Sequence, residues 1–255
     1  YGIRYLRQPL FSQQYSFFCR GEENEELLIE FLRYISKSFK FIDISIGIES
    51  REVLYKSFIK KYVISDRINC LLDIKESYES HYKGYNENLK RNLKKAESCR
   101  LIYKEEDVLI DDVIRLFCEN NKYNNLNREE LDILRKLIEE CDRRGKLKKA
   151  GVFNETGICC GAFFIIDGDR AIFIFSGQNE CGMGCRAMFF LIDNFIRGCI
   201  GSLKILDFEG SDNINVRRFY MNYGSRESVY YRLYGFGNNN VVNRVFEILQ
   251  KIIRK

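Results

Sequence analysis

LDFEGSDNINVRRFYMNYG, residues 206–224, reads as a strand ending in acid, then a turn, then a short helix closed by a glycine. Leu206 and Phe208 alternate with Asp207 and Glu209, the period-two pattern of a strand. Carboxylates at such a strand end often face the ligand crevice of an open α/β sheet. Glu209 is therefore a candidate to take a proton from an amine, directly or through water, against the plainer role of a surface or helix-capping acid. In the helix expected over 213–223, Tyr220 stands seven residues beyond Asn213 and four before Gly224. Taken alone, that position suits a packing aromatic with a satisfied hydroxyl.

Upstream, FSGQNECGMGCRAMF (175–189) reads as a strand end, a glycine-containing loop and a helix. Glycines let backbone N–H groups approach an anion, and a helix start adds about half a positive charge, so a pyrophosphate suits the place. A glycine-eased turn is the plainer alternative. Neither the G-x-x-x-x-G-K-[ST] phosphate loop nor the G-x-G-x-x-G dinucleotide fingerprint is present.

From these segments the pattern extends both ways. Strands are expected over 148–154, 158–166, 171–175, 203–208 and 229–234, with Asp167-Gly168-Asp169-Arg170 as a hairpin turn. Helices are expected over 108–120, 128–143 and 183–199, and an amphipathic helix carrying Val241, Val245, Ile248 and Ile252 closes the chain. Asn127 as N-cap, Glu130 at N3 and a Leu126–Leu131 staple mark the start of the second of these. Toward the N-terminus, residues 3–19 around Pro9 suit an edge strand. Leu27, Leu28, Phe31, Leu32, Ile35 and Phe39 recur at helical steps behind an acidic first turn. Ile42, Ile44, Ile46 and Ile48 then share one strand face, with Asp43, Ser45 and Gly47 on the other. Residues 70–74 form a short strand near the boundary between two halves, and 76–100 a polar, basic helix. The class is mixed α/β, with helices after the central strands.

Composition narrows the function. The 255 residues are 45% hydrophobic and 30% charged, with one Pro and no Trp, which is a globular chain with room for one large or two modest domains. No apolar run reaches the ~18–20 residues of a bilayer span. The first residues lack a signal-peptide layout, and Tyr1 is not a translation start, so segments upstream are expected. Ten cysteines lie mostly in apolar periodic segments, which suits buried, reduced thiols in a cytoplasmic protein. With Cys159-Cys160 and Cys181-x3-Cys185 the only close spacings, no metal is expected. The single histidine, His81, is expected at the surface and removes most Ser-His and Cys-His chemistry. Lys83, Lys90, Arg91, Lys94, Lys95 and Arg100 suit either a solvated face or contact with phosphates, but a net charge of +5 is modest. The 16 Tyr and 20 Phe follow core periodicity and do not interleave with the basic residues as a base-stacking surface does.

The element order and the two motifs resemble the GNAT acyltransferase superfamily. In that family a Gln or Arg followed by x-x-G-x-G or A holds the acyl-CoA pyrophosphate, and N-x-x-A-x-x-F-Y-x-x-x-G carries a Tyr that protonates the departing thiolate. Asn213, Val216, Phe219, Tyr220 and Gly224 fall at the second spacing, with Val for Ala. In the first, Asn179 stands where Gln or Arg is usual and Gln178 is one position early, followed by Gly182, Met183 and Gly184. More narrowly, YNENLKRNLKKAE (85–97) and the Phe-Ser-Gly, Asp-Phe-Glu-Gly-Ser and Arg-Phe-Tyr segments resemble the FemAB-like branch, in which two GNAT folds are fused in tandem.

The resemblance implies that residues 71–255 are a complete second GNAT unit. Residues 1–70 would be the later part of a first unit, its opening elements lying upstream of Tyr1. It further implies an acyl-CoA-dependent N-acyltransferase acting on an amino sugar, amino acid or cell-envelope precursor, with Tyr220 as acid and Glu209 as base. Gln178, Asn179, Gly182, Met183, Gly184 and Asn213 would bind the acyl-CoA. Fem aminoacyltransferases usually show Arg-Phe-Lys where this chain has Arg218-Phe219-Tyr220. Transfer from aminoacyl-tRNA is therefore the alternative, and a catalytically silent GNAT-like module a third reading.

Overall fold

The computed structural model describes residues 4–17, 20, 25–48, 51–58, 62–120, 126–210 and 212–237. The expected closing helix around Val241–Ile252 lies outside them. The chain divides into two compact units, one drawn from residues up to Ile68 and from Val229 onward, the other spanning Asn69–Ser228.

In the first unit, β1 (Tyr5–Arg7) runs parallel to β2 (Phe41–Ile46). Strand β2 pairs antiparallel with the later part of β9 (Arg226–Phe236), from Ile46 opposite Tyr231 to Phe41 opposite Phe236. Helices α1 (Glu25–Ser38) and α2 (Arg51–Phe58) cover this small sheet. Their Leu32, Ile35, Val53 and Leu54 join Ile42, Ile44, Ile46, Tyr231 and Leu233 in one core. On the opposite strand face, Asp43 accepts two bonds from the Arg232 guanidinium, at 2.7 and 2.9 Å. Helix α2 does not follow from the sequence pattern, because eight residues supply barely two turns of it; its Val53 and Leu54 are buried.

The second unit holds the larger mixed sheet. Its strands are β4 (Ile102–Lys104), β5 (Leu147–Asn154), β6 (Gly157–Asp167), β7 (Arg170–Gln178), β8 (Ile205–Gly210) and the later part of β3 (Val63–Asp73), in the spatial order β4-β5-β6-β7-β8-β3. Neighbours are antiparallel except β7 and β8, which are parallel. The β6–β7 connection is the expected hairpin, with Gly168 in the left-handed region at φ 58°.

Helices cover both faces. On one, α8 (Ala187–Cys199) lays Phe195 flat on Phe164 of β6, with ring centroids 3.5 Å apart. On the other lies α5 (Ile110–Asn120). Gly161 and Gly177 are cross-strand partners beneath it, and a Cβ on Gly177 would stand 2.4 Å from the Phe117 amide nitrogen and 2.6 Å from the Val113 oxygen. The glycine pair thus lets the backbone of α5 rest directly on the sheet. Helix α6 (Arg128–Arg143) begins with the expected capping box: Asn127 accepts from the Glu130 amide and Glu130 from the Asn127 amide.

Two expected helices are broken. Residues 76–100 form α3 (Tyr78–Gly84) and α4 (Glu87–Ser98), because Asn86 caps α4 through the Leu89 amide and its own N–H donates to the Asn222 carbonyl. Residues 183–199 begin inside a short α7 (Glu180–Gly184) and are interrupted by Arg186, which is left-handed at φ 62°. The cysteines also depart from expectation. Cys70, Cys159, Cys160 and Cys199 are buried, but Cys118 and Cys181 are exposed. His81 is half-buried on α3, and its Nε2 is out of solvent without a hydrogen-bond partner. Among the described residues, no helix is long and apolar enough to cross a membrane, and no three His, Cys, Asp or Glu side chains are placed to hold a metal.

Candidate functional site

Strands β7 and β8 are paired only at their beginnings, over Arg170–Ile172 and Ile205–Asp207, although β7 continues to Gln178 and β8 to Gly210. Where that pairing stops, a cavity of about 450 Å³ opens. Phe173, Ser176 and Gln178 of β7 form one wall, and Asn215, Val216, Phe219 and Tyr220 of α9 (Ile214–Met221) another. Met183, Arg186, Met188 and Phe189, from α7 and the start of α8, complete it. A second cavity of about 220 Å³ shares Ser176, Gln178, Met183 and Met188 and extends to Leu116 and Phe117 of α5. The two therefore meet at the end of β7.

Tyr220 is 7% exposed. Its ring stacks on Phe208 at 4.4 Å and meets Phe173 edge-on at 6.2 Å. Burial, with smaller contributions from Cys70, Glu209 and Asp207, holds its phenol above the ordinary range, so it keeps its proton. Glu209 lies at the end of β8 in the left-handed region, at φ 57°. Burial, reinforced by Asp207 and opposed by Arg170, pushes its carboxyl up to about 8. Asp207 itself is buried: Asn69 Nδ2 donates to its Oδ1 at 2.8 Å, the Glu209 amide to the same oxygen at 2.9 Å, and Arg170 to Oδ2.

Of the residues expected to bind acyl-CoA, Gln178 and Met183 line the larger cavity. The others have local roles or stand at its edge. The Asn179 side chain caps α7 by accepting from the Gly182 amide at 2.8 Å. Asn213 caps α9 through the Asn215 amide at 2.9 Å. Gly182 is needed for packing, since a Cβ there would lie 2.3 Å from the Cys159 oxygen. Gly184 is exposed, with nothing within 4 Å of a Cβ.

No family model matches the chain, and no curated protein matches its sequence. Solved structures do. FemX superposes with a TM-score of 0.62 at 9% identity, over 89% of this chain and 79% of FemX. The chain has the fold of FemX. A conserved protein of unknown function from Bacteroides thetaiotaomicron VPI-5482 superposes with a TM-score of 0.60 at 10% identity, over 84% of this chain and 77% of that one. The C-terminal domain of a putative lysylphosphatidylglycerol synthetase from Agrobacterium fabrum gives 0.54 at 12% identity, over 88% and 76%.

Several cavity residues of this FemX-like fold are not legible in the sequence. Phe173, Met188, Phe189 and Val216 carry only an apolar signal, which a core position carries equally. Arg186 lies inside the segment singled out as an anion site, yet nothing in Gly184-Cys185-Arg186 marks the left-handed break that brings it to the cavity rim.

Proposed function

We propose that the chain is an N-acyltransferase that moves an acyl group from acyl-CoA to the amine of an amino sugar, amino acid or cell-envelope precursor. The observation that carries this reading is the early end of β7–β8 pairing, with Tyr220 and Gln178 in the cavity that opens there. The two cavities meeting at the end of β7 suit two substrates brought to one reaction point. The apolar walls suit the thioester arm. Arg186 and the open backbone at Gly184 suit its phosphates, whereas Asn179 and Asn213 are engaged as caps.

The reaction is a direct transfer. A neutral amine attacks the thioester carbonyl, the C–N bond forms, and the C–S bond breaks. Glu209, once ionised, takes the ammonium proton, and Tyr220 protonates the departing thiolate. Backbone N–H groups of β7 beyond its pairing with β8 polarise the carbonyl oxygen. On this reading residues 1–70, with the β9 segment from Val229 that pairs with β2, belong to a first GNAT-like half and the rest of 71–255 to a second, and the protein works in the cytoplasm.

A thermal-shift titration with acetyl-CoA tests the proposal. A saturable rise in Tm is expected, kept in Tyr220→Phe and lost in Gly184→Glu, a substitution the open surroundings of Gly184 accommodate. No shift at millimolar ligand overturns it. The Fem-type reading, transfer from aminoacyl-tRNA, has one observation in its favour: Arg91, Lys94 and Lys95 are all exposed on α4. Binding of charged tRNA that weakens steeply with salt would support it. Failure to bind either donor leaves a silent module.

A further inference from the structure

The first unit holds a cavity of its own, about 430 Å³, within the ~300–1,000 Å³ that small-molecule sites span. The sheet contributes Leu6, Ile44 and Ile46, and the α1 side lines it from Leu28 through Phe31 and Ile35 to Phe39. That stretch is about 16 Å long at the rise of a helix, so the cavity is a slot between helix and sheet. Hydrogen bonds fix its outer wall. The Tyr15 amide donates to the Ser45 carbonyl and the Gly47 amide to the Tyr15 carbonyl, both at 2.8 Å. Between Arg7 and Tyr15 the Gln8 side chain bridges the gap, accepting from the Ser45 amide at 2.7 Å and donating to the Ser12 carbonyl at 2.6 Å. Phe17 meets Phe31 with ring centroids 5.2 Å apart. Among the described residues, the polar side chains lining the slot are Tyr15, Ser16 and Tyr34, and all three are exposed, which puts the polar groups at the mouth. Charge there is one-sided. Residues 4–17 and 31–40 hold Arg4, Arg7, Arg33, Lys37 and Lys40 and no Asp or Glu. All five cations are exposed, and none is in an ion pair among the described residues. The acids of α1, Glu25, Glu26 and Glu30, precede Phe31, and Glu25 is paired with Lys56 at 2.5 Å.

We propose that this slot binds the alkyl chain of a single-chain anionic amphiphile, a long-chain carboxylate such as dodecanoate, with its head among the unpaired cations at the mouth. The chain displaces water from the apolar walls, and the carboxylate stays at the surface, where Arg and Lys donate charge-assisted hydrogen bonds to it. Tyr15, Phe31 and Tyr34 are 37%, 45% and 68% exposed, and large side chains left open around one mouth mark a binding surface. Leu32, Ile44 and Ile46 are at most 5% exposed, so the apolar surface on offer is recessed between helix and sheet. That shape admits one chain and offers little to a flat bilayer. Every lining residue precedes residue 47 and lies in the first unit, so the proposal is independent of the acyl-transfer reading.

The test is titration of the full chain with dodecanoate below its micelle-forming concentration, followed by thermal shift. A saturable rise in Tm is expected. Dodecanol, which lacks the charge, should bind about tenfold more weakly, and butyrate, which lacks the chain, should give no shift. Reversing two exposed cations together, Arg33→Glu with Lys37→Glu, should weaken dodecanoate by a similar factor, and Ser16→Trp should abolish its binding by filling the slot. Photolysis of a diazirine-bearing dodecanoate, followed by peptide mapping, should place the label within 4–17 and 25–46. Labelling confined to 173–220, in the cavity beside β7, would overturn the proposal. So would equal affinity for dodecanoate and dodecanol, or binding to phosphatidylglycerol vesicles with none to monomeric dodecanoate. A dimer that Phe31→Glu dissociates and dodecanoate leaves intact would assign the slot to a second copy of the chain instead.

Discussion

The Asp207 carboxylate holds the backbone of Glu209: its Oδ1 accepts the Glu209 amide at 2.9 Å, at the residue where the chain turns left-handed. The same oxygen accepts from Asn69 at 2.8 Å, and Arg170 pairs with the other. One buried aspartate thus shapes the end of β8 and raises the proton affinity of the acid beside it.

Glu209 has a folded-state pKa of about 8, above the ordinary carboxylate value of 4.5. A raised carboxyl contributes stability that is complete below its unfolded value and is lost as pH rises through about 8. Denaturant unfolding should therefore show stability falling by a few kcal/mol between about pH 5 and pH 9 from this group. In Glu209→Gln that component disappears, so the difference between variant and parent should grow with pH. Parallel curves would mean that Glu209 is not shifted.

Removing Asp207 strands its partners. Asp207→Ala leaves the Arg170 guanidinium and the Asn69 amide without their acceptor, which costs about 3–5 kcal/mol for a broken buried pair. Asp207→Asn keeps one oxygen for the Glu209 amide and should cost less. Urea unfolding of the two variants ranks them, and an equal loss would refute the argument from acceptors.

Gly177→Ala places a methyl against the backbone of α5 at Phe117 and Val113. Backbone cannot yield as a side-chain tip can, so a loss of at least about 1–3 kcal/mol is expected. The same change at Gly161 meets only the Val113 side chain at 2.6 Å and should be milder. Thermal unfolding of both variants checks the order.

Tyr220→Phe separates chemistry from packing. The ring keeps its stack on Phe208, so folding and the acetyl-CoA thermal shift should persist. Turnover with an amine found by screening should fall about 10²–10⁴-fold, the usual weight of a general acid. Unchanged turnover would reduce Tyr220 to a packing aromatic.

Asn127→Ala tests the capping box on α6, where both reciprocal bonds are present. A loss of about 1 kcal/mol is expected, seen as earlier urea unfolding. An unchanged midpoint would show that the packing of Leu134 and Ile138 alone holds this helix.

The sequence by itself determined whatever depends on neighbours along the chain. The three- and four-residue steps of α1, the alternating isoleucines of β2, the Asn127–Glu130 box and the Asp167-Gly168 turn were all legible, because period, cap and turn are local chemistry. The spacing of Asn213, Phe219, Tyr220 and Gly224 carried the family resemblance, and the tertiary structure added that Tyr220 reaches the cavity. Tertiary structure alone decided the rest. The break before α4 depends on the bond from Asn86 to Asn222, and Gly182 on the nearness of the Cys159 oxygen. The burial of Asp207 depends on Asn69 and Arg170. Each of these needs a partner tens of residues away, and no local period or cap encodes which distant group will arrive.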